Sequence, residues 1–187
     1  MSALVAVPGL TAVNDDDEAW RVHVEGALPL VDALRTREGS VVDVGSGGGS
    51  PGLVIAAAYP DREVTLLEAQ ERKAAALETF SREFPNVRVV RGRAEEQATD
   101  RYEVAVARAL AEPPVAAEWC LPLVATGGAV ALLVGPSVDV ERVARVSAKV
   151  GGGEPQLRVG VLVIPKVAQT PPGFPRRAGV AKKRPLR

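Results

Sequence analysis

The chain has 187 residues, 47% of them hydrophobic and 25% charged, which suits one globular domain with a sizeable core. One cysteine excludes an intramolecular disulfide, and with only one histidine beside it the sequence argues against a zinc site built from side chains. No apolar run approaches the roughly 18–20 residues of a membrane span, and residues 1–10 lack a signal-peptide pattern. We therefore expect a cytoplasmic protein without a metal.

The zero net charge hides an asymmetry between the body of the chain and its C-terminus. The chain has 23 Lys/Arg and 23 Asp/Glu, and residues 165–187 hold seven of the basic residues and none of the acidic ones. This tail therefore carries about +7 and the rest of the chain about −7. A basic arm on an acidic body favours a large anionic partner, although a solvated tail that only aids solubility has the same composition.

Residues 1–40 are a predicted helical lead-in. The run of one asparagine and four acids at residues 14–18 is typical of a helix start. The pattern predicts a helix from about Glu18 to Arg37 that Pro29 kinks or divides. His23 lies on this helix and is interpreted as a satisfied or exposed side chain.

Strands and helices alternate in residues 41–164, the predicted main domain. The predicted strands are Val41–Gly45, Glu63–Glu68, Val87–Arg91, Tyr102–Ala107 and Ala129–Val134, with Gln156–Ile164 as a last long strand or a hairpin. The predicted helices are Gly52–Tyr59, Gln70–Glu83, Pro113–Val124 and Val138–Val150, and a turn is predicted at Gly127-Gly128. This alternation predicts a doubly wound α/β fold, with a mostly parallel sheet covered by helices on both faces. Residues 165–187 contain four prolines besides Pro165 and no periodicity, so we predict a basic, irregular C-terminal tail.

The glycine-rich stretch that follows the first strand predicts a site for a ligand of nucleotide type. Two patterns compete within it. Gly45, Gly47 and Gly49, preceded by Asp43, form the pattern usual in S-adenosylmethionine (SAM) methyltransferases. Gly47, Gly49 and Gly52 satisfy the dinucleotide fingerprint. We favour the first pattern because a carboxylate at the strand end can hold amides of the turn or a ligand ammonium, whereas it has no use beside a pyrophosphate.

The ends of the next strands supply further candidates, because ligands lie across the carboxyl ends of such a sheet. Glu68 can accept hydrogen bonds from both ribose hydroxyls of an adenosine, or it could cap the next helix. Ala94 could border an adenine ring and contact the base through its amide. Arg108 is expected to meet an acid, a cofactor carboxylate or a phosphate, since an unpaired buried cation is very costly.

Several common catalytic motifs are missing from the sequence, which limits the types of reaction that the protein could catalyse. The sequence has no Gly-x-x-x-x-Gly-Lys-Ser/Thr loop and no Ser/His/Asp arrangement, and Cys120 is predicted to lie in the core. The Asn/Asp-Pro-Pro-Tyr/Phe loop used on exocyclic amino groups is also missing, because residues 112–115 read Glu-Pro-Pro-Val. These absences favour attack by an atom with a free lone pair, such as guanine N7, which needs positioning rather than a base.

The motifs together resemble those of the bacterial small-subunit ribosomal RNA guanine-N7 methyltransferases, also called glucose-inhibited division protein B. The resemblance covers nearly the whole chain. It rests on residues 10–12, His23, the glycine turn through Ser50-Pro51-Gly52, Leu66-Leu67-Glu68, Arg93-Ala94-Glu95, Ala107-Arg108-Ala109, and the tail segments 166–171 and 174–179.

The resemblance implies a class I SAM-dependent (Rossmann-like) methyltransferase that modifies one guanine of 16S ribosomal RNA, either free or within the small ribosomal subunit. We also expect a monomer. Arg108 is the predicted catalytic residue, and the predicted SAM contacts are Asp43, Gly45, Ser46, Gly47, Gly49, Gly52, Leu53, Glu68, Ala69, Arg93, Ala94, Glu95 and Arg108. The predicted contacts to RNA phosphates are Arg176, Arg177, Lys182, Lys183 and Arg184.

Two departures from the family pattern keep other functions open. The family usually has Asp-Ser where this chain has Gly26-Ala27, and Lys-Gly where it has Val134-Gly135. One alternative is a methyltransferase for a small molecule, with the tail as a solubility arm. Another is a SAM- or RNA-binding module without activity. An NAD oxidoreductase is disfavoured, because no residue offers itself as the acid for hydride transfer.

Overall fold

The computed structural model describes residues 10–13 and 15–186. The helices are α1 (Asp16–His23), α2 (Leu28–Ala33), α3 (Gly52–Ala58), α4 (Glu71–Phe80), α5 (Pro113–Cys120), α6 (Val140–Lys149) and α7 (Val180–Lys183). The strands are β1 (Val41–Val44), β2 (Val64–Glu68), β3 (Val87–Arg91), β4 (Tyr102–Arg108), β5 (Val124–Leu133), β6 (Gln156–Arg158) and β7 (Val161–Pro165). Short 3-10 turns lie at Glu25–Ala27, Ser81–Glu83, Ala94–Glu96 and Leu121–Leu123.

The strands form one seven-stranded sheet in the order β3-β2-β1-β4-β5-β7-β6. The pairs from β3 to β5 are parallel, whereas β7 runs antiparallel to both β5 and β6. The predicted doubly wound, mostly parallel fold is confirmed, and the last predicted segment is a hairpin rather than one long strand. The strand order reverses between β1 and β4, which is where such sheets bind ligands.

Strand β1 shows how the sheet acquires its two core layers. All four of its residues are buried, and successive side chains point to opposite faces. Val42 and Val44 belong to the apolar cluster that includes residues of α5 and α6, whereas Val41 packs with residues of α2, α3 and α4. Each of these valines contributes roughly 1.5–3 kcal/mol through burial. The alternation therefore fixes the register of the strand and directs Asp43 toward the α3 side.

The predicted lead-in helix is divided into two helices, which is one of the two outcomes predicted for Pro29. Helix α1 ends at His23, and a 3-10 turn separates it from α2. Asp15 caps α1 by accepting a hydrogen bond from the Glu18 amide at 2.9 Å. Pro29 lies in the first turn of α2, where a missing N–H costs little. The proline therefore starts a new helix rather than kinking an old one.

The turn predicted at Gly127-Gly128 is wrong, because β5 runs through both glycines. The register against β4 shifts between Tyr102 and Val104, so the extra residues of β5 form a bulge. A Cβ on Gly128 would lie 2.2 Å from the carbonyl oxygen of Glu103. Only glycine permits that approach of the two backbones.

The C-terminal tail is not the free arm that its composition predicts. The side chain of Lys166 is fully buried, and its Nζ donates hydrogen bonds to the Leu121 carbonyl and to Thr170 Oγ1, both at 2.7 Å. The same Nζ lies 3.1 Å from a carboxylate oxygen of Asp100. Burial lowers the pKa of Lys166, while its contacts with Asp100 raise it. One of the basic residues of the tail is therefore part of the core.

Further along, Phe174 packs against the core, and Arg176 forms a two-pronged ion pair with Glu118 of α5. Helix α7 follows, a short helix that the sequence did not predict. Within the described residues, no helix has the length and apolar character needed to cross a bilayer. The same residues contain no group of three or more His, Cys, Asp or Glu placed to hold a metal ion.

Candidate cofactor and active site

Asp43 anchors the glycine turn between β1 and α3. Its Oδ2 accepts a hydrogen bond from the Gly52 amide at 3.0 Å, and the Ser46 hydroxyl donates to its carbonyl oxygen at 2.9 Å. A Cβ on Gly52 would lie 2.2 Å from Leu66 Cδ2 and 2.8 Å from Asp43 Oδ2. The carboxylate therefore requires glycine at the start of α3 and holds the turn in a single shape.

The environment of Asp43 favours its neutral form. Its side chain is buried, and Oδ1 has no hydrogen-bond partner among the described residues. Burial raises the pKa of Asp43 to about 7, although the Gly52 amide, the Ser46 hydroxyl and the Arg108 charge each lower it. Asp43 therefore titrates near neutral pH.

Glu68 closes the other side of the turn. It ends β2 beside β1, and its Oε2 accepts from the Gly47 amide at 2.9 Å while Oε1 accepts from the Gln70 amide at 2.8 Å. An ionised carboxylate has about four acceptor positions, so these two bonds leave capacity for two hydroxyls. The two functions suggested by the sequence, capping the next helix and accepting from a ribose, are compatible in this geometry.

A cavity of about 440 Å³ opens above the glycine turn, within the range of small-molecule sites. Seven predicted cofactor contacts line it, namely Gly45, Gly47, Glu68, Ala69, Arg93, Ala94 and Glu95. Sequence reasoning missed further lining residues, which include Gln70, Lys73, Leu110, Trp119 and Gly179. Gln70 and Leu110 follow shortly after predicted contacts, so an extension of those segments would have found them. Gly179 belongs to the tail segment 174–179 of the family resemblance but was given no role there, and Trp119 carries no such signal.

Six predicted contacts do not line the cavity: Asp43, Ser46, Gly49, Gly52, Leu53 and Arg108. The first two lie beneath the turn and bond its backbone. The Gly49 carbonyl accepts from the Leu53 amide at 2.7 Å and belongs to the start of α3. Asp43, Ser46 and Gly49 thus hold the backbone around the turn, whereas Gly45, Gly47 and Glu68 line the cavity itself.

Arg108, at the end of β4, joins the sheet to the lead-in. Its Nη1 donates to the Val22 carbonyl at 2.6 Å, and its Nη2 lies 2.9 Å from His23 Nδ1. An arginine has only donors, so Nδ1 is the acceptor and the ring proton is on Nε2. That nitrogen lies 2.7 Å from the hydroxyl of Thr11, which receives its hydrogen bond. Within the described residues the hydrogen-bond partners of Arg108 are therefore a carbonyl and an imidazole, and its contact with a cofactor carboxylate or a phosphate stays a prediction.

The electrostatics keep His23 neutral. Burial and the neighbouring Arg108 charge both lower the pKa of His23. Burial likewise lowers the pKa of Arg108, while Asp43 raises it. A Cβ on Gly26 would lie 3.4 Å from Arg108 Nη1, so one of the two departures from the family pattern adjoins this contact.

The five tail residues predicted to contact RNA phosphates divide into three groups. Arg176 is bound to Glu118 and, through Nη1, to the Arg184 carbonyl at 3.0 Å, so the prediction that it contacts phosphate is corrected to an internal ion pair. Lys182, also predicted to contact RNA, lines the cavity. Arg177, Lys183 and Arg184 are exposed, and their contact with RNA stays a prediction.

Comparison with known proteins decides the family. A family model described as rRNA small subunit methyltransferase G matches residues 5–155. The protein of that name from Clostridium beijerinckii is 34% identical, over 95% of this chain and 83% of its own length. Its counterpart from Moorella thermoacetica is 36% identical, over 95% of this chain and 82% of its own. The chain belongs to this family.

Membership in the rRNA small subunit methyltransferase G family confirms the predicted resemblance and the enzyme class, an rRNA methyltransferase that depends on SAM. The cavity fits that cofactor. Glu68 keeps acceptor positions for ribose hydroxyls, and Leu67, Ala94 and Leu110 give the cavity apolar walls for a base.

Solved structures agree with the family on the fold. The CurJ carbon methyltransferase has a TM-score of 0.60 at 13% identity, over 82% of this chain and 56% of its own. The T. thermophilus 16S rRNA N2 G1207 methyltransferase RsmC, solved with AdoMet and guanosine, has a TM-score of 0.56 at 16% identity, over 80% of this chain and 40% of its own. At these identities the likeness concerns the fold alone, and the chain spans only about half or less of each solved chain.

Proposed function

We propose that this protein transfers the methyl group of SAM to N7 of a guanine in 16S ribosomal RNA by direct in-line attack, without a general base. One observation carries the proposal. The cavity above the glycine turn combines a ribose-type acceptor, Glu68, with apolar walls, and no histidine, cysteine or tyrosine lies among its described lining residues. Bound SAM supplies an electrophilic methyl group on a sulfonium, so the protein has to hold and align two reactants.

The candidate bases near the cavity are already engaged. Glu68 accepts from two backbone amides, and Glu95 accepts from the Gly179 amide at 3.0 Å. His23 has both ring nitrogens in hydrogen bonds, to Arg108 and to Thr11. Guanine N7 carries a free lone pair and loses no proton before it is methylated. The hydrogen bonds already made by these carboxylates and by His23 therefore favour N7 as the methyl acceptor over an exocyclic amine or a hydroxyl, which must lose a proton.

Arg108 acts in this proposal as a positioning residue. Its two hydrogen bonds hold the end of α1 against the sheet, and the Ser50 hydroxyl, in the glycine turn, donates to the His23 carbonyl at 2.6 Å. Helix α1 and the turn are thus tied together beside β1. We propose that the lead-in forms a wall of the site where the guanine enters, and the catalytic assignment of Arg108 stays a prediction.

For the RNA, we infer that the exposed cations Arg177, Lys183 and Arg184 meet phosphates close to the cavity, because Lys182 of the same segment lines it. Phosphate contacts of this kind orient a nucleic acid without reading its sequence. We further propose that the protein acts as a monomer, on RNA or on the small ribosomal subunit, in the cytoplasm.

The proposal is tested by methyl transfer. Wild-type protein and labelled SAM are incubated with 16S RNA or with small subunits from cells that lack the modification, and large-subunit RNA serves as the control. We expect label in the 16S RNA only, and none with Glu68→Ala, which removes the acceptor for ribose. Absence of label from every RNA, with SAM binding intact, would refute the proposed activity.

A further inference from the structure

The C-terminal segment 166–184 is tied to the domain along its length. Lys166 is buried against Leu121 and Asp100, and the Thr170 amide donates to Asp100 at 3.2 Å. Ala181 of α7 is buried as well. The segment is therefore a fixed part of the structure, and the position of its last residues is set by the fold rather than by a ligand.

The last of these ties joins the segment to the cavity. The Gly179 amide donates to Glu95 Oε1 at 3.0 Å, and Glu95 belongs to the loop after β3 that was predicted to flank adenine. Gly179 and Lys182 both line the cavity. Beside them lies Trp119, whose indole Nε1 is buried without a hydrogen-bond partner among the described residues. The C-terminal segment, the loop after β3 and helix α5 thus form one continuous wall of the cavity.

We propose that this segment completes the cofactor site and that Lys182 contacts the adenosine half of bound SAM. The inference rests on the proposed function. Lys182 lies three residues beyond Gly179, which is about 5 Å along a helix, so it belongs to the end of the cavity where Glu95 lies. A lysine offers only donors, and adenosine presents ring nitrogens and ribose oxygens as acceptors. Lys182 is then a residue for cofactor binding rather than for RNA binding.

The chain offers a matched control in Lys183. Both lysines are exposed residues of α7, and Lys183 is not among the described residues that line the cavity. Lys182→Met and Lys183→Met are therefore compared by titration calorimetry with SAM, S-adenosylhomocysteine and adenosine, and Trp119 emission gives a second readout. Circular dichroism confirms that both variants fold.

Lys182→Met should lower the affinity for each of the three ligands by a factor of about ten, which is the lower end of the range for a hydrogen bond from a charged group. The affinities of Lys183→Met for the same ligands should stay within about twofold of the wild-type values.

An unchanged affinity of Lys182→Met for SAM and adenosine would overturn the inference, as would a loss confined to RNA affinity. The two failures are distinguishable. If wild-type protein binds SAM but methylates no RNA, the proposed function fails while the ligand titrations still test Lys182. If wild-type protein does not bind SAM, both fail together.

Discussion

Replacing Arg176 by methionine tests whether the tail is a structural element or an RNA arm. The guanidinium forms two short bonds to one carboxylate, Nε to Glu118 Oε1 at 2.5 Å and Nη2 to Oε2 at 2.7 Å. The Glu118 side chain is only 3% exposed, and that of Arg176 is 21% exposed. Without the arginine, a buried carboxylate is left without its counter-charge, so the variant should be strongly destabilised.

The size of the expected loss of stability follows from the burial of the ion pair between Arg176 and Glu118. Removing one partner of a buried ion pair costs about 3–5 kcal/mol, and losing the bond from Arg176 to the Arg184 carbonyl adds about 1 kcal/mol. The partial exposure of Arg176 lets water reach the carboxylate, so we expect about 3 kcal/mol. For a domain of this size that corresponds to a fall in Tm of roughly 6–12 °C.

Urea unfolding and thermal denaturation measure the loss. Arg177→Met is the control, because Arg177 is exposed, and it should change the free energy of unfolding by no more than about 0.5 kcal/mol. Adding Glu118→Gln to Arg176→Met should recover part of the loss, since no buried charge then remains. An Arg176→Met variant as stable as wild type, with weakened RNA affinity, would refute this reasoning and restore the predicted RNA contact.

Three further predictions concern charge. The folded-state pKa of Asp43, about 7, lies above its ordinary value of 3.8, so its contribution to stability falls as the pH rises between these values. In denaturant unfolding, wild type should lose about 2–3 kcal/mol of stability relative to Asp43→Asn from pH 5 to 7. Parallel curves of stability against pH for the two proteins would contradict the assignment. The pKa of His23 is lowered below 6.5, so the stability that its neutral form contributes is lost as the pH falls below 6.5. Trp20 emission should report the release of α1 in this pH range in wild type but not in His23→Gln. The same acid transition in both proteins would contradict this prediction. If Arg177 and Lys183 contact phosphates, each alanine variant should reduce the slope of log affinity against log salt by roughly 0.7–0.9, and unchanged slopes would exclude both contacts.

The parts of the site that sequence patterns predict are those encoded locally. Strand β1 and the glycine turn follow from a β-branched run beside glycines, and Glu68 follows from the rule that ligands lie at strand ends. Parallel pairing of β1 with β2 then brings Glu68 within hydrogen-bond distance of Gly47. No long-range information was needed for these contacts.

The wrong or incomplete predictions concern residues whose partners lie far away in the sequence. Arg176 and Arg177 are indistinguishable in a basic run, yet only Arg176 meets a buried carboxylate, 58 residues away in α5. The partners of Arg108 lie 85 and 86 residues before it, in a lead-in whose docking no local pattern encodes. The bulge in β5 likewise depends on the approach of the Glu103 carbonyl from the neighbouring strand. Each of these errors or omissions traces to a tertiary contact that no local pattern encodes.

Nucleoside analysis of 16S RNA methylated by the purified protein tests directly whether guanine N7 is the methyl acceptor. RNA or small subunits from cells lacking the modification are treated with labelled SAM, digested to nucleosides and separated by chromatography with mass detection. We expect the label to elute as 7-methylguanosine and the rate to be flat between about pH 7 and 9, because no general base takes part. Label on an exocyclic amine or a ribose hydroxyl, or a rate that rises with the ionisation of a side chain, would contradict it.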